Sequence, residues 1–479
     1  KPFGFRRMTR DGRVLEDDDT RKVARIAKFI RVIWYNLEMK NGDKIGIIGF
    51  GLEGQSVYRW LIAKGINPDL IYIHDQNLVE GYQGVFGSDY LWDLDQYNYA
   101  KIYRSPGVRL DQEIKTSISS ATIEFFKDCP ANIIGVTGTK GKGTTASLIM
   151  QILQLSGKNS YLVGNIGNPA LDILNQLTPD DWVIYELSSY QLSDLRQSPQ
   201  IAICLMLGLD HLDWHLDQAE YYQAKSNIFR YQSSQDLAVY KADDPNSSRL
   251  VELSPAVWRG YGPVGTSSLI TYDNQGIYFE GKLKLPRAEI LLPGMHNLEN
   301  IAAAVSATWE VVKDKSVYQL AAKKFAGLSH HIEFVAEVDS VKYYDDSFAT
   351  NPAATVAAIK ALAEFGDKLV VMLGGRDKAL DYSQLAKLFT ETKQVEALIY
   401  GQDAIKIKQA FDQAKATNYQ LANSQDFGQV VSQARLIAEN INSRAVLLSP
   451  ATSSLDMFAN YKDRGDQFQS AVKGFVAKS

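Results

Sequence analysis

Cysteine is scarce in this chain of 479 residues, with Cys129 and Cys204 as its only representatives. Two thiols so far apart exclude a disulfide framework or a thiolate metal site, and they favour a reducing compartment. The sequence also lacks an apolar run of roughly 20 residues, the length that spans a bilayer, and it does not open with a charged-then-apolar signal segment. We therefore expect a soluble, cytoplasmic protein that does not insert into membranes.

An excess of positive charge is missing as well. The formal net charge is −4, from 51 lysines and arginines against 55 aspartates and glutamates. Proteins that bind nucleic acids need a basic surface to neutralise phosphates, so we expect small-molecule partners and no nucleic acid. With 45% hydrophobic and 22% charged residues, the composition is that of a folded globular protein. We expect it to be a monomer.

The order of strand-like and helix-like segments predicts an α/β protein with three domains. A charge-dense, partly helical extension without an assigned role covers residues 1–40. We expect a Rossmann-like domain over 41–128, a central P-loop ATPase domain with a mostly parallel sheet over 129–333, and a second Rossmann-like domain over 334–479. The apolar runs that we interpret as buried strands of the last two domains are Ile133–Val136, Trp182–Tyr185, Ile201–Met206, Leu369–Met372, Ala397–Tyr400 and Ala445–Leu448.

The first Rossmann-like unit begins with a strand and a glycine-rich turn. Ile45–Gly49 has the apolar pattern of a buried strand, Ser56–Ala63 that of a helix, and Leu70–His74 that of a second strand, which ends at Asp75. The turn Gly49–Gly54 matches G-x-G-x-x-G, whose backbone can approach a diphosphate at a helix N-terminus. The turn predicts a site for the diphosphate of a nucleotide sugar or of a dinucleotide, and a glycine turn needed only for packing is the alternative.

The second βα unit contains the strongest local signal, a phosphate-binding loop over Gly135–Thr145 before a helix predicted over Thr144–Leu155. Backbone N–H groups and Lys142 would surround the phosphates, and a threonine hydroxyl would bind Mg²⁺. The loop departs from G-x-x-x-x-G-K-[ST] because Val136 replaces the first glycine and Gly143 follows the lysine. The residues expected to contact the nucleotide are Gly138, Thr139, Lys140, Gly141, Lys142, Gly143, Thr144 and Thr145.

The G-x-x-G-T-x-G-K pattern of this loop resembles the superfamily of Mur ligases and folylpolyglutamate synthases. Gly143 is more like the folate branch, whereas Tyr185–Leu192, with the sequence Y-E-L-S-S-Y-Q-L, is similar to a segment of the D-glutamate-adding Mur ligases. Further blocks in the order of that family are Ser105–Val108, Gly164–Gly167, Asp210–Asp213, Gly294–Asn297, Asp346–Ser347, Thr350–Pro352 and Leu448–Ala451. The resemblance covers residues 44 to 470.

The resemblance implies an ATP-dependent, ADP-forming carboxylate–amine ligase. Such ligases transfer the γ-phosphoryl group of ATP to a substrate carboxylate, and an amine then attacks the acyl phosphate. For the D-glutamate-adding branch, the substrates are UDP-N-acetylmuramoyl-L-alanine and D-glutamate, the cofactors are ATP and two Mg²⁺ ions, and the product is a peptidoglycan precursor. A Mur-type ligase for another amino acid and a folylpolyglutamate-synthase-like ligase remain alternatives.

The resemblance also implies a catalytic group made of Lys142, Glu186, His211 and Lys225. Glu186 follows an apolar strand, where a lone acid is costly unless it meets a cation or a hydrogen-bond donor. With Thr144 and His211 it is implied to bind Mg²⁺, and Lys225 is implied to bridge the metal ions as a carbamate. By its sequence context alone, Lys225 is equally compatible with a solvated helix position.

Other contacts are implied for the nucleotide and the substrates. Asn297 and Asn300 precede an alanine-rich helix, and the family places the first of them at the adenine, although asparagine at a helix start is commonly a cap. The remaining implied contacts are Asp346 for the nucleotide, Gly51, Leu52, Glu53, Asp75, Ser105, Gly107 and Asn165 for the UDP-sugar, and Thr350, Lys378, Ser454, Leu455 and Tyr461 for the amino acid.

Two positions depart from the family pattern close to the implied chemistry. Phe348 stands where the family usually has lysine, and His331 stands where it usually has arginine. The loss of two cations predicts an altered substrate geometry, compensation by Lys140, or reduced activity. A catalytically silent nucleotide-binding protein is therefore a further alternative, although Lys142 and Glu186 are intact.

Overall fold

A computed structural model describes residues 42–363, 368–376 and 380–476 of the chain. Within these ranges the chain forms three sheets in which most neighbouring strands are parallel, so the predicted α/β class is confirmed. The predicted extension over residues 1–40 lies outside the described residues. None of the helices in these ranges combines the length and the apolar character that crossing a bilayer requires.

The helices of the described residues are α1 (Leu52–Ala63), α2 (Ala121–Asp128), α3 (Lys142–Leu155), α4 (Ala170–Ile173), α5 (Ser189–Asp194), α6 (Gln218–Arg230), α7 (Pro245–Val251), α8 (Met295–Thr308), α9 (Ser316–Lys324), α10 (Pro352–Ala363), α11 (Ser383–Glu391), α12 (Ala404–Gln413), α13 (Phe427–Asn440) and α14 (Tyr461–Val476). Single turns of 3₁₀ helix occur at Pro68–Leu70, Leu94–Tyr97, Leu174–Gln176 and Arg287–Glu289.

The first sheet has the strand order β3-β2-β1-β4-β5, and all its neighbouring strands are parallel. Its central strand is buried along its whole length, which explains the continuous apolar run of that segment. The strands are β1 (Ile45–Ile48), β2 (Ile71–Asp75), β3 (Gly84–Phe86), β4 (Lys101–Arg104) and β5 (Ile118–Ser119).

The second sheet has the order β14-β13-β12-β11-β10-β9-β6-β8-β7, parallel from β7 to β12 and antiparallel beyond. Helices α3 and α8 pack side by side and share one hydrophobic core with this sheet. The alanines of α8 allow the close approach of its neighbours. The strands are β6 (Asn132–Thr137), β7 (Ser160–Gly164), β8 (Trp182–Glu186), β9 (Ile201–Cys204), β10 (Leu237–Lys241), β11 (Val257–Pro263), β12 (Ile270–Asp273), β13 (Gly276–Phe279) and β14 (Lys282–Pro286).

The third sheet has the order β15-β16-β20-β17-β18-β19, with β15 antiparallel to β16 and the other pairs parallel. Along β17, Val371 and Leu373 belong to one core cluster while Val370 and Met372 belong to another, so both faces of the sheet are covered. The strands are β15 (Glu333–Val338), β16 (Val341–Asp345), β17 (Leu369–Gly374), β18 (Val395–Tyr400), β19 (Tyr419–Leu421) and β20 (Ala445–Leu448).

Two helices begin earlier than predicted. Helix α1 begins at Leu52 rather than Ser56, and α3 begins at Lys142 rather than Thr144. In each case a glycine, Gly51 or Gly141, occupies the N-cap position, so the glycine-rich turn ends where the helix starts. The lysine of the phosphate-binding loop therefore belongs to the first helical turn.

The two asparagines that were expected before the alanine-rich helix lie inside it. Helix α8 begins at Met295, and Gly294, with a φ of +82°, is its N-cap. Both Asn297 and Asn300 are buried, and Asn297 Nδ2 donates to the Pro293 carbonyl at 2.7 Å. The capping interpretation is therefore wrong, because glycine takes the cap and the amides point into the protein.

The described residues divide into two compact units. One contains the residues up to Cys129 together with Pro169–Gln176, and the other contains Pro130–Asn168 and the chain from Leu177 onward. In the first unit, α4 packs against α1 and α2, and Asp172 accepts hydrogen bonds from Ser56 Oγ at 2.8 Å and Arg59 Nη2 at 2.6 Å. The predicted boundaries at residues 41, 129 and 334 remain predictions.

Candidate active site

The phosphate-binding loop connects β6 to α3, and its glycines are sterically required. Gly141 has a φ of +83°, and a Cβ at this position would lie 2.3 Å from Asn300 Oδ1. Gly138 has a φ of +146°, and its added Cβ would lie 2.7 Å from the Leu205 Cβ. Because the backbone N–H groups at a helix N-terminus attract anions, this conformation suits phosphate oxygens.

Lys142 folds back onto this loop. Its Nζ donates to the carbonyls of Gly138 and Thr139, each at 3.1 Å. Burial lowers the pKa of Lys142, while Glu186 and Asp210 oppose that shift. The loop therefore holds a partly desolvated cation whose positive charge suits a polyanion.

Glu186 is the last residue of β8, directly beside the loop. Its Oε1 accepts a long hydrogen bond from Asn165 Nδ2 at 3.4 Å, and its buried Oε2 has no hydrogen-bond partner among the described residues. Burial raises the pKa of Glu186, and Lys142 is the strongest of the groups that oppose this shift. An unpaired buried carboxylate oxygen fits a cation that this protein would bind here.

The extra glycine of the loop has a steric explanation at the same place. An added Cβ on Gly143 would lie 3.0 Å from Leu328 Cδ1, 3.3 Å from Ile166 Cδ1 and 3.4 Å from Glu186 Oε2. A side chain at this position would therefore press on Leu328 and come into van der Waals contact with the free oxygen of Glu186.

Lys225 of α6 is buried at the base of the loop, with 1% of its surface exposed. Its Nζ donates to Thr137 Oγ1 at 3.2 Å and to the Gly138 carbonyl at 3.0 Å, and it lies 5.0 Å from the centre of the Tyr221 ring. Burial, followed by the charge of Lys142, lowers the pKa of Lys225 to about 7. The interpretation of Lys225 as a solvated helix residue is therefore wrong.

The two threonines after the lysine differ in their surroundings. Thr145 is fully buried and donates to Asn300 Oδ1 at 3.3 Å, and Asn300 Nδ2 donates to Asn297 Oδ1 at 3.1 Å. This chain of hydrogen bonds ties α8 to the phosphate-binding loop. Thr144 is half-buried, and within the described part of the chain its hydroxyl has no hydrogen-bond partner, so Thr144 is the threonine that suits a metal ion.

His211, another implied metal ligand, already has partners of its own. His211 has a φ of +55°, its Nδ1 shares a 2.8 Å hydrogen bond with the Tyr190 hydroxyl, and its Nε2 lies 3.4 Å from Asp210 Oδ2. A metal-binding role of His211 would require the release of one of these partners. Lys140 is exposed on the loop.

Apart from Asn165, which belongs to the second unit and contacts Glu186, the residues implied for the UDP-sugar are on or near the glycine-rich turn of the first unit. Asp75 Oδ2 accepts a hydrogen bond from Phe50 N at 2.7 Å, and Ser105 Oγ donates to the Gly49 carbonyl at 2.7 Å. Leu52 is exposed on the first turn of α1, and Gly107 is exposed after β4; Glu53 follows Leu52. A cavity of about 560 Å³ adjoins this turn and is lined by Phe50, Gly51, Gln55, Asp75, Asn77, Val79 and Tyr82.

The residues implied for the amino acid meet in the second unit. A cavity of about 330 Å³ is lined by Phe348, Thr350, Ser453, Ser454, Leu455, Asn460 and Tyr461, and we call it the amino-acid pocket. It brings together four of the five implied residues from three separate segments of the chain. The fifth, Lys378, lies outside the described residues.

The two positions that depart from the family pattern contact each other at this pocket. The rings of His331 and Phe348 stack at 4.0 Å with an interplanar angle of 27°, and Phe348 meets Tyr461 edge-on at 5.2 Å. Burial lowers the pKa of His331, so the imidazole favours its neutral form. An aromatic wall therefore stands where the family pattern has charged side chains.

Asp346 lies beside this wall with its carboxylate fully engaged. Its Oδ2 accepts from Ser449 Oγ at 2.7 Å and its Oδ1 accepts from Ile332 N at 3.2 Å. Burial raises the pKa of Asp346 to about 8. Contact of Asp346 with the nucleotide remains a prediction.

Several residues of the site were missed at the sequence level. Tyr221 lies four residues before Lys225, so helical spacing could have indicated it. Thr137 was included in the predicted phosphate-binding loop, but its contact with Lys225 was not predicted. Asn460 and Ser453 line the amino-acid pocket, and no local pattern distinguishes them.

Comparisons with known proteins show what this chain is similar to. The family model of the Mur ligase middle domain matches residues 136–308, and that of the Mur ligase, glutamate ligase domain matches residues 331–452. A UDP-N-acetylmuramoylalanine–D-glutamate ligase from Clostridium kluyveri is 34% identical over 90% of this chain and 96% of its own length. A protein of the same description from Acetivibrio thermocellus is 31% identical over 92% and 98%, respectively.

Solved structures share the fold. The UDP-N-acetylmuramate–alanine ligase of Thermotoga maritima is 19% identical with a TM-score of 0.56, covering 91% of this chain and 100% of that one. A MurF ligase from the same organism, in complex with ADP, is 16% identical with a TM-score of 0.54, covering 92% and 100%. At these identities the comparison supports the three-domain α/β architecture alone.

Proposed function

The chain belongs to the Mur ligase family, and from that premise we propose that it is a cytoplasmic, ATP-dependent and ADP-forming ligase that joins D-glutamate to UDP-N-acetylmuramoyl-L-alanine. The reaction is a step of peptidoglycan precursor synthesis. Relatives that are 31 to 34% identical over most of the chain are described as ligases of this kind. The geometric observation that carries the proposal is the convergence of Lys142, Glu186 and Lys225 on one phosphate-binding loop.

The reaction requires two bond exchanges. The γ-phosphoryl group of ATP moves to a carboxylate oxygen of the UDP-linked substrate, and ADP leaves. The deprotonated amine of D-glutamate then attacks the carbonyl carbon, the carbon–oxygen bond to phosphate breaks, and inorganic phosphate leaves as the amide forms. Several negative charges meet in the first step, so the site must neutralise charge and hold the reactants in line.

The residues around the phosphate-binding loop supply these requirements. Lys142 would leave the carbonyls of Gly138 and Thr139 and pair with phosphate oxygens, exchanging two neutral acceptors for an anion. The glycine backbone N–H groups would bind the remaining oxygens. Asn297 and Asn300 hold α8 against the loop, which is consistent with an adenine site at this helix.

Magnesium fits the same residues. Glu186, with its unpaired Oε2, and Thr144, with its unbound hydroxyl, would hold the first ion. A carbamylated Lys225 and His211 would hold a second. When bound, the ions would neutralise the polyphosphate and the developing charge of the transferred group.

Carbamylation of Lys225 is chemically reasonable in this environment. Its pKa of about 7 leaves a large neutral fraction near neutral pH, and only the neutral amine reacts with carbon dioxide. Carbamylation would replace the ammonium group of Lys225 by an anionic carbamate beside Lys142. A ¹³C NMR spectrum of protein equilibrated with ¹³C-bicarbonate should show one carbamate signal that is absent from Lys225→Met.

The two cavities would receive the other substrates. The UDP-sugar would bind at the turn of α1, with contacts from Gly51, Leu52, Glu53, Asp75 and Ser105. The contact implied for Asn165 stays a prediction. D-glutamate would bind in the amino-acid pocket through the hydroxyls of Thr350, Ser454 and Tyr461, with Leu455 beside them. The contact implied for Lys378, which is outside the described residues, also stays a prediction.

The direct test is phosphate release from ATP with Mg²⁺ and UDP-N-acetylmuramoyl-L-alanine, comparing D-glutamate, L-glutamate and other amino acids. We expect release with D-glutamate and none with Lys142→Ala. Release with a different amino acid would reassign the acceptor. No release with any amino acid would contradict the proposed reaction and favour a catalytically silent protein.

A further inference from the structure

A fully buried arginine lies behind the amino-acid pocket. Arg464 is in the first turn of α14 and is 0% exposed. Its position follows Asn460 and Tyr461, which line the pocket. A guanidinium group without access to water is costly to bury, so its contacts need an explanation.

The guanidinium donates hydrogen bonds to three separate segments of the chain. Its Nε and Nη2 donate to Ser347 Oγ and to the Ser347 carbonyl, both at 2.9 Å. Its Nη1 donates to the Thr452 carbonyl at 3.2 Å and to the Gly374 carbonyl at 3.4 Å. One side chain thus joins the segments that follow β16 and β20 to the end of β17.

Two of these three segments continue into the proposed D-glutamate site. Ser347 precedes Phe348, and Thr452 precedes Ser453, and both of these neighbours line the pocket. Ser347 Oγ also donates to the carbonyl of Tyr461 at 2.8 Å. The pocket walls are therefore connected to one another through the guanidinium and through the hydroxyl of Ser347.

The glycine next to Gly374 shows how closely these segments pack. A Cβ on Gly375, whose φ is +141°, would lie 2.1 Å from the Ser453 carbonyl oxygen and 3.2 Å from Arg464 Nη1. The backbones of two segments and the guanidinium share this space. A displacement of Arg464 would therefore disturb the packing of Gly375 against Ser453, and Ser453 lines the pocket.

The hydrogen bonds of Arg464 end on carbonyl and hydroxyl oxygens. Among the described residues, no carboxylate lies within hydrogen-bond distance of the guanidinium. A lysine could not reproduce the pattern, because its three donors radiate from a single nitrogen whereas the guanidinium presents a planar fork of five. The chemistry at this position therefore requires arginine rather than a positive charge alone.

We propose that Arg464 is the positioning residue of the amino-acid pocket. It holds the segments at Ser347 and Thr452 against the start of its own helix, and residues next to these three places form the pocket walls. It thereby sets the affinity for D-glutamate without touching the reacting atoms. This inference rests on the proposed function, since it assigns a role within the same site.

The test compares Arg464→Lys and Ser347→Ala with Lys473→Met, which removes an exposed cation from the same helix. Steady-state rates are measured while ATP, UDP-N-acetylmuramoyl-L-alanine and D-glutamate are varied in turn. We expect the KM for D-glutamate to rise about 10- to 100-fold in Arg464→Lys and less in Ser347→Ala, because small misplacements of a binding wall are costly. The KM values for the other two substrates should stay within about twofold, and Lys473→Met should match the wild type.

Each outcome decides the question. Unchanged KM for D-glutamate in both variants, or an equal rise of all three KM values, would overturn the positioning role. If Arg464→Lys does not fold, Ser347→Ala, which keeps the buried arginine, gives the decision. If the wild type does not ligate D-glutamate, the proposed function is refuted instead. The three variants would then be compared with the wild type by thermal-shift titration with D-glutamate. An unaltered shift of the melting midpoint in Ser347→Ala would overturn the inference.

Discussion

The phosphate-binding loop and the amino-acid pocket use polar groups in opposite ways. At the loop, Glu186 keeps a buried oxygen without a partner and Lys142 rests on two carbonyl groups. At the pocket, the buried polar groups already have partners: the Asp346 carboxyl group accepts two hydrogen bonds, and Arg464 donates to three segments of the chain.

The proposed function explains this difference by the ligand that each region would bind. A polyphosphate with its metal ions carries charges that the protein must neutralise. Groups at the loop that have few partners lose few interactions when the ligand binds, and they gain strong electrostatic interactions with it. A small amino acid requires a pocket of fixed shape. The polar groups beside the pocket therefore form hydrogen bonds within the protein, which hold the pocket walls in place. Substitutions at the loop should therefore impair activity more than stability, whereas those at the pocket should change affinity or stability first.

The largest expected effect is that of Lys142→Ala. Removal of the cation at the phosphates should lower kcat by about 10²- to 10³-fold, as for other groups that stabilise transition-state charge. Lys140→Ala is the matched control, because Lys140 is an exposed cation of the same loop. A comparable loss in Lys140→Ala, measured by ADP release, would show that Lys140 compensates for the missing cations at Phe348 and His331.

Glu186→Gln should separate activity from stability. Because Gln cannot neutralise a metal ion, we expect kcat to fall about 10²-fold and the Mg²⁺ concentration for half-maximal activity to rise. The melting temperature should stay equal or increase, because an unpaired buried charge is removed. A decrease of several degrees would show that Glu186 is a structural ion-pair partner and would weaken the contrast between the two regions.

Phe348→Ala should produce a smaller change at the pocket. Loss of the ring removes one wall and the stacking partner of His331, so we expect the KM for D-glutamate to rise by about fivefold, which corresponds to roughly 1 kcal/mol. His331→Ala should act in the same direction and less strongly, because it loosens Phe348 without removing it. Equal KM values in wild type and Phe348→Ala would exclude Phe348 from the pocket wall.

Asp346→Asn should change how stability depends on pH. Burial raises the pKa of Asp346 from 3.8 to about 8, so between these values the folded protein retains a proton that the unfolded chain releases. The contribution of Asp346 to the free energy of unfolding therefore falls as the pH rises between these two values, by about 1.4 kcal/mol per pH unit. Chemical denaturation from pH 5 to 8 should show a weaker decline in Asp346→Asn than in wild type.

The control for this experiment is Asp381→Asn. A hydrogen bond from the backbone of Ser383 lowers the pKa of the exposed Asp381 carboxyl, so its contribution changes below about pH 4. Its stability profile should follow that of the wild type from pH 5 to 8. Parallel profiles for all three proteins would mean that Asp346 is ionised in the folded protein.

The two regions also differ in how far sequence could predict them. The loop is one contiguous motif between a strand and a helix, so local spacing was enough to identify Lys142 and its glycines. The burial of Lys225 and the contact of Asn300 with Thr145 depend on α6 and α8, which reach the loop only in the folded protein. Resemblance to a family, and not local pattern, had indicated Lys225.

The amino-acid pocket is assembled from residues more than a hundred positions apart, and no local pattern connects them. Thr350 and Ser454 were identified through resemblance alone. Arg464 was missed because a lone arginine in a polar helix reads as a solvated side chain. The stacking of His331 on Phe348 could not be foreseen either, since each residue was visible only as a departure from a motif.

The most direct test of the ligase assignment is the mass of the product. The wild-type protein, ATP, Mg²⁺ and UDP-N-acetylmuramoyl-L-alanine should convert D-glutamate into a product whose mass exceeds that of the nucleotide substrate by one glutamyl residue, with one ADP formed per product. L-glutamate should give no such product. Formation of ADP without the added mass, or an equal yield from both enantiomers, would contradict a D-glutamate-adding Mur ligase.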